Sequence, residues 1–273
     1  MDMTDSVIDT EMLRQSFGLG RGSEIHLPLG SQLTPAAIEL IAERGITVRF
    51  IDALGRVYTG NPPQQPLERI HPLTGQSTPP GRKRPASPTP GKADTELLTH
   101  LDGDSLVPKT HPRIALRGKL DTLIAFTVLA QCDFDREQRF PWLHPYLADL
   151  RSHMGNLLKA EVTGEEMPAA GMGGIDLESL HTLAQNPLRY LGHDHIVPEE
   201  TQGRNVALLN VLRALCREVE LEVVRAFTGS DGGMLRPDLL TAANRLSSAI
   251  YVLMLLTLLA EAGKKVELET LAL

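Results

Sequence analysis

Cysteine, aromatic residues and positive charge are all scarce in this 273-residue chain, and each scarcity removes a class of function. Only Cys132 and Cys216 are present, too few for a disulfide framework. Both stand among apolar residues in helical patterns, so they are expected as buried, reduced thiols of a cytoplasmic protein. Aromatic residues make up 4% of the chain, which leaves little for base-stacking platforms. A net charge of −7 argues against binding nucleic acid, since neutralising phosphates favours basic proteins. The longest apolar run, Ala249 to Ala260, falls short of the ~18 residues that span a membrane and is expected as a core helix. The polar, acidic start, MDMTDSVIDTEMLRQ, is not a secretory signal. No internal repeat, Walker loop, GxGxxG, nucleophile elbow or pair of catalytic carboxylates occurs.

What is present centres on two long helical patterns between Asn205 and Ala260. The first repeats apolar residues at Leu208, Leu212, Leu215, Val219 and Val223. It also carries a polar stripe of Asn210, Arg213, Arg217 and Glu220 at helical spacing. The second opens at Pro237, a favoured first helical residue. From Leu246 it is apolar all round apart from Ser247, Ser248, Tyr251 and Thr257, so it must be buried on every side. Asn244 and Arg245 sit one turn before that run, and buried groups of this kind need partners or a ligand.

Ahead of this pair, residues 8–17 suggest a short helix, and Ile25–Leu27 and Ile46–Ile51 suggest short strands. Between the strands lies a helix with Thr34 as N-cap, Pro35 at its first position and Gly45 at its stop. Residues 1–60 thus form a small α/β module, read as a docking or regulatory appendage. Residues 61–95 are rich in Pro, Gly, Ser, Arg and Lys and are expected as a solvated linker. Residues 96–273 form the bundle domain, nearly all helix from 96 to 263: a turn-rich loop over Thr99–Lys109, then helices over 112–131, 141–161 and 176–185 before the central pair, with the closing KKVELETLAL as a short strand or a frayed tail. The fold class is therefore mainly α, a four- or five-helix bundle with a small α/β N-terminal module. Asp121 lies at the edge of the apolar face Leu120, Leu123, Ile124, Thr127 and Val128, as either a surface ion pair with Lys119 or a functional group. His193, Asp194 and His195 lack further ligands at a metal-binding spacing, so no protein-bound metal is expected.

Three ordered segments, LVPKTHPRIALRGKLDTLIA, IVPEETQGRNVALLNVLRALCREVE and ANRLSSAIYVL, together resemble the ATP:cob(I)alamin adenosyltransferases. LTPAAIELI, PLRYLGHDHIVPE and NRLSS are similar to the ethanolamine-utilisation branch in particular. The resemblance implies a helical bundle that assembles as an oligomer, commonly a trimer, with ATP bound between subunits. It implies formation of adenosylcobalamin from ATP and reduced cobalamin, with Mg2+ accompanying the nucleotide. The implied partner is an adenosylcobalamin-dependent ethanolamine ammonia-lyase or its reactivating factor, in the cytoplasm and in association with a bacterial microcompartment. The rival reading is a non-catalytic corrinoid carrier or microcompartment scaffold.

By the same resemblance, Lys109 and Arg217 contact ATP phosphates, Arg213 assists one turn earlier, and Asn244 binds the nucleotide. Asp121 pairs with Arg213 across the subunit boundary, Glu220 orients Arg217, and His195 falls near the position facing the corrinoid. One departure concerns the His-x11-Cys-Cys-x2-Cys motif of the ethanolamine branch. His71 holds the histidine position, but Lys83, Arg84 and Ser87 replace the cysteines, so no metal is expected there. A second departure is that THLDGDSLVPK replaces the glycine-rich nucleotide loop of the propanediol-utilisation branch.

Overall fold

The computed structural model describes residues 7–60, 66–71, 95–102, 105–137 and 140–264. In chain order the first part contains β1 (Val7–Ile8), α1 (Thr10–Ser16), β2 (Glu24–Pro28), β3 (Gln32–Leu33), α2 (Pro35–Glu43), β4 (Thr47–Ile51), β5 (Val57–Thr59) and β6 (Glu68–Ile70). The second part contains β7 (Leu98–His100), β8 (Leu106–Pro108), α3 (Pro112–Glu137), α4 (Leu143–Thr163), β9 (Gly171–Met172), β10 (Ile175–Asp176), α5 (Leu177–Gln185), α6 (Pro187–Leu191), α7 (Gly203–Phe227) and α8 (Pro237–Glu261).

The strand–helix–strand reading of the N-terminal part matches the structure. β2 and β4 pair in parallel, with Ile25 opposite Val48 and Leu27 opposite Phe50. Such a pair needs a crossover, which α2 supplies. Thr34 Oγ1 accepts the Ala37 amide at 3.3 Å, Pro35 opens the helix, and Gly45 takes φ +61° just past its end. β5 and β6 add antiparallel strands, giving the order β2-β4-β5-β6. The fourth strand lies inside the segment read as linker, because Ile70 has a buried position to fill at 3% exposure. The basic cluster of that linker lies outside the described residues.

The helical part has its own core. Leu143, Leu147, Leu150, Met154 and Leu157, the stripe read for α4, are all fully buried. α8 is long and apolar enough to cross a membrane by length and composition, with mean hydropathy 1.5 over an 18-residue window, yet 67% of that window is buried inside the protein. Its neighbours α4, α5 and α7 enclose it, which explains an apolar character on every side. On α3 the predicted face is shifted. Leu120, Leu123 and Thr127 are buried, but Val128 is 40% exposed, and Leu116, Ala130 and Phe134 complete the face. The same rotation leaves Cys132 exposed, contrary to expectation, while Cys216 is buried as expected. Thr99–Lys109, read as a loop, is largely taken up by β7 and β8, which pair antiparallel.

Two buried polar clusters fix the layers. Between α3 and α4, the fully buried Glu161 carboxylate accepts from both Arg113 and Arg117. Between the N-terminal part and α4, Ser152 donates to the Glu24 carbonyl at 3.0 Å and Asn156 to the Gly22 carbonyl at 3.1 Å, while Asp149 of α4 accepts the amide of Gly173, between β9 and β10, at 2.9 Å. Gly18 and Gly20 are required there, since a Cβ on either would lie 2.3 Å and 2.8 Å from Asp149 Oδ2.

Candidate active site

The polar stripe of α7 faces a matching stripe on α8. α7 presents Arg213, Arg217 and Glu220, with Cys216 buried beside them, and α8 presents Asn244, Arg245, Ser247, Ser248 and Tyr251. Helical spacing brings 213, 217 and 220 onto one side, and 244, 248 and 251 onto another. At the centre, Asn244 Nδ2 donates to Glu220 Oε1 at 3.0 Å, and Asn244 Oδ1 accepts from Arg245 at 2.7 Å. Arg245 also donates to Glu178 of α5 at 2.8 Å. The half-buried amide and guanidinium that demanded partners therefore find them within the chain.

Glu220 was expected to orient Arg217; within the chain its Oε1 accepts from Asn244. Arg217 is exposed and has no hydrogen-bond or ion-pair partner among the described residues. Arg213 is half-buried, with its guanidinium carbon 5.3 Å from the centroid of the Tyr251 ring. A cation over an aromatic face is held by the ring quadrupole, and a guanidinium so placed keeps its N–H groups free for an anion. Cys216, one turn from Arg213, is no nucleophile. Burial pushes its thiol far above the ordinary range, reinforced by the Glu220 charge.

Further along the same face, a cavity of about 260 Å³ is lined by Gln185, His195, Ile196, Arg213, Ser248 and Tyr251, among others. The Tyr251 hydroxyl accepts the Ile196 amide at 2.8 Å and lies 3.2 Å from His195 Nδ1. His181 stands behind Ser248, with Nδ1 2.9 Å from its hydroxyl, and Gln185 reaches His181 Nε2 at 2.7 Å. Burial, with the Arg245 charge next, holds the His181 pKa below its usual value.

The structure thus brings together Arg213, Arg217, Glu220, Asn244 and His195 along one seam. It does not bring the other two sequence-derived residues to that seam within one chain. Asp121 is exposed on α3, and Arg213 of the same chain contacts Tyr251 instead. Lys109 ends the β7–β8 hairpin with its side chain exposed and its amide donated to Leu97 at 2.9 Å. Tyr251, Ser248, His181 and Gln185 were not singled out as site residues from sequence. The signal for the first two was present, as polar breaks in the apolar run, Ser248 one turn and Tyr251 two turns beyond Asn244. Among the described residues no group of three or more His, Cys, Asp or Glu could hold a metal ion. The positions of Lys83, Arg84 and Ser87 lie outside the described residues.

Comparison with known proteins accords with this arrangement. Residues 8–71 match the model of the corrinoid adenosyltransferase EutT N-terminal domain, and residues 92–257 match that of cobalamin adenosyltransferase. The chain is 41% identical over 255 residues to corrinoid adenosyltransferase EutT of Salmonella typhimurium, covering 93% of each protein. It is also 41% identical over 245 residues to the protein of that name from Escherichia coli K12, covering 90% of each. Among solved structures, a variant PduO-type ATP:corrinoid adenosyltransferase of Lactobacillus reuteri with cobalamin and ATP is 16% identical, with a TM-score of 0.46 over 60% of this chain and 90% of that one. A second variant of that enzyme with ATP gives 14% and 0.44, over 61% and 91%. With an N-terminal part and a helical part each matched by its own family model, the chain belongs to the cobalamin adenosyltransferase family, in company with the EutT corrinoid adenosyltransferases.

Proposed function

We propose that this chain transfers the 5′-deoxyadenosyl group of ATP to cob(I)alamin. The electron pair on cobalt(I) attacks C5′, a cobalt–carbon bond forms, the C5′–oxygen bond breaks, and its electron pair leaves with triphosphate. The protein has little covalent work in such a step. It must hold C5′ over cobalt and meet the charge developing on the leaving group with fixed donors. The observation that carries this reading is the seam itself. Arg213 and Arg217 share one side of α7, and neither guanidinium has a carboxylate partner among the described residues. Such cations suit a polyphosphate, whereas a corrinoid carrier would have no use for them.

In this assignment Arg217 and Lys109 take the phosphates, Arg213 supports the leaving group, and Asn244 contacts the nucleotide while Glu220 fixes its amide. His195 lies toward the corrinoid. Mg2+ accompanies the triphosphate of the nucleotide. Asp121 meets Arg213 of a neighbouring subunit, so the working unit is a homo-oligomer, a trimer in the simplest case. Exposed apolar side chains on α3 and α7 support a covered face there: Phe126 is 41% exposed, Leu129 56% and Leu221 58%. The N-terminal module of residues 1–60, joined through 61–95 to the bundle of 96–273, serves docking. The product supplies ethanolamine ammonia-lyase or its reactivating factor in the cytoplasm, beside a microcompartment. Anaerobic incubation with ATP and chemically reduced cobalamin tests the reading, with appearance of the adenosylcobalamin absorbance as the predicted outcome and an unchanged spectrum as the opposite one.

A further inference from the structure

We propose that Tyr251 is a positioning residue that couples the nucleotide side of the site to the loop at its corrinoid side. The inference rests on the adenosyltransferase reading and adds a residue to it. Tyr251 is 9% exposed and stands in the most buried stretch of α8.

Each part of its side chain has a separate task. The ring face carries Arg213, whose guanidinium carbon lies 5.3 Å from the centroid. The hydroxyl accepts the Ile196 amide at 2.8 Å, which pins the chain at the point where it passes from α6 to α7. The same ring stacks on His195, with centroids 6.1 Å apart and planes at 23°. A buried phenol O–H must itself donate, and the acceptor within reach is His195 Nδ1 at 3.2 Å. Arg213, His195 and Ile196 all line the same cavity, and Tyr251 touches all three.

The two functions separate chemically. Tyr251→Phe removes one oxygen, frees the 195–196 segment and leaves the ring beneath Arg213. Tyr251→Leu removes both supports. In steady-state assays of the full chain, Y251F is expected to raise the KM for cob(I)alamin about tenfold while the KM for ATP stays within about twofold. Y251L is expected to raise both. A purely structural role would change the two constants together in both variants, or only the melting temperature. Wild-type turnover with a Y251F corrinoid KM unchanged, or with its ATP KM raised alone, overturns the coupling and leaves the enzyme reading standing. A wild-type chain that does not turn over overturns both.

Discussion

Asn244 gives its amide to Glu220 across 3.0 Å and takes a hydrogen bond from Arg245 at 2.7 Å, so one side chain joins α7, α8 and, through Arg245, α5. Asn244→Ala leaves a half-buried carboxylate without its donor, a loss of about 1–3 kcal/mol. Denaturant unfolding should show that loss as a lower midpoint with an unchanged slope. Equilibrium binding should show weaker ATP affinity beyond what the stability change explains. Asn244→Ala with wild-type ATP affinity would reduce Asn244 to a structural tie.

The location of Asp121 leads to a second test. It is exposed on α3, and Arg213 of the same chain is engaged with Tyr251. If Asp121 completes a neighbour's site, an Asp121→Ala chain and an Arg217→Ala chain are each nearly inactive alone. Refolded together, they form some sites that have both residues, and activity returns to a fraction of wild type. A mixture no more active than its components would place both residues in one subunit's site.

The N-terminal part is keyed to α4 through a carboxylate with a displaced titration. Burial pushes Asp149 up to about 7, against hydrogen bonds from the Gly173 and Gly20 amides and the charge of Arg44, which pull it down. The folded chain keeps a proton that the unfolded chain releases near pH ~4, so this contribution is present below ~4 and is lost as pH rises through about 7. His153 has the opposite sign. Burial lowers it to about 4, so its contribution is present above the usual value of 6.5 and is lost as pH falls toward 4. Asp149→Asn should therefore flatten the decline in stability between pH 5 and pH 8, measured as unfolding midpoints of the two proteins across that range. Parallel curves would remove Asp149 as the cause.

The replacement of the motif cysteines by Lys83, Arg84 and Ser87 also has a measurable consequence. Activity should survive exhaustive chelation of transition metals once Mg2+ is restored, at close to the untreated rate. Permanent loss, recovered only by iron or zinc, would reveal a metal site built from other residues.

Much of this architecture could be read from residue order, and the failures have a common physical origin. The α4 stripe and the Thr34–Pro35–Gly45 signals are local, and local spacing fixed them. The bond between Glu220 and Asn244 was not legible, because spacing within one helix points Glu220 to Arg217, three residues away, whereas Asn244 comes from another helix. Cys132 was misassigned because periodicity reveals that a helix has an apolar face but not how neighbours rotate that face. The Arg113–Glu161–Arg117 cluster joins α3 to α4 across more than 40 positions, and no spacing rule reaches that far. Tyr251 was visible as a polar break in α8, but its link to Ile196 depends on how a loop returns over the helix.

The central claim is that the cations on α7 hold nucleotide phosphate while cobalt captures the sugar carbon. Anaerobic turnover of Arg217→Ala beside wild type, with ATP and chemically reduced cobalamin, tests it most directly. The predicted result is a fall in rate of about a hundredfold or more, the scale of losing one preorganised electrostatic donor. A variant that forms adenosylcobalamin at the wild-type rate would contradict it.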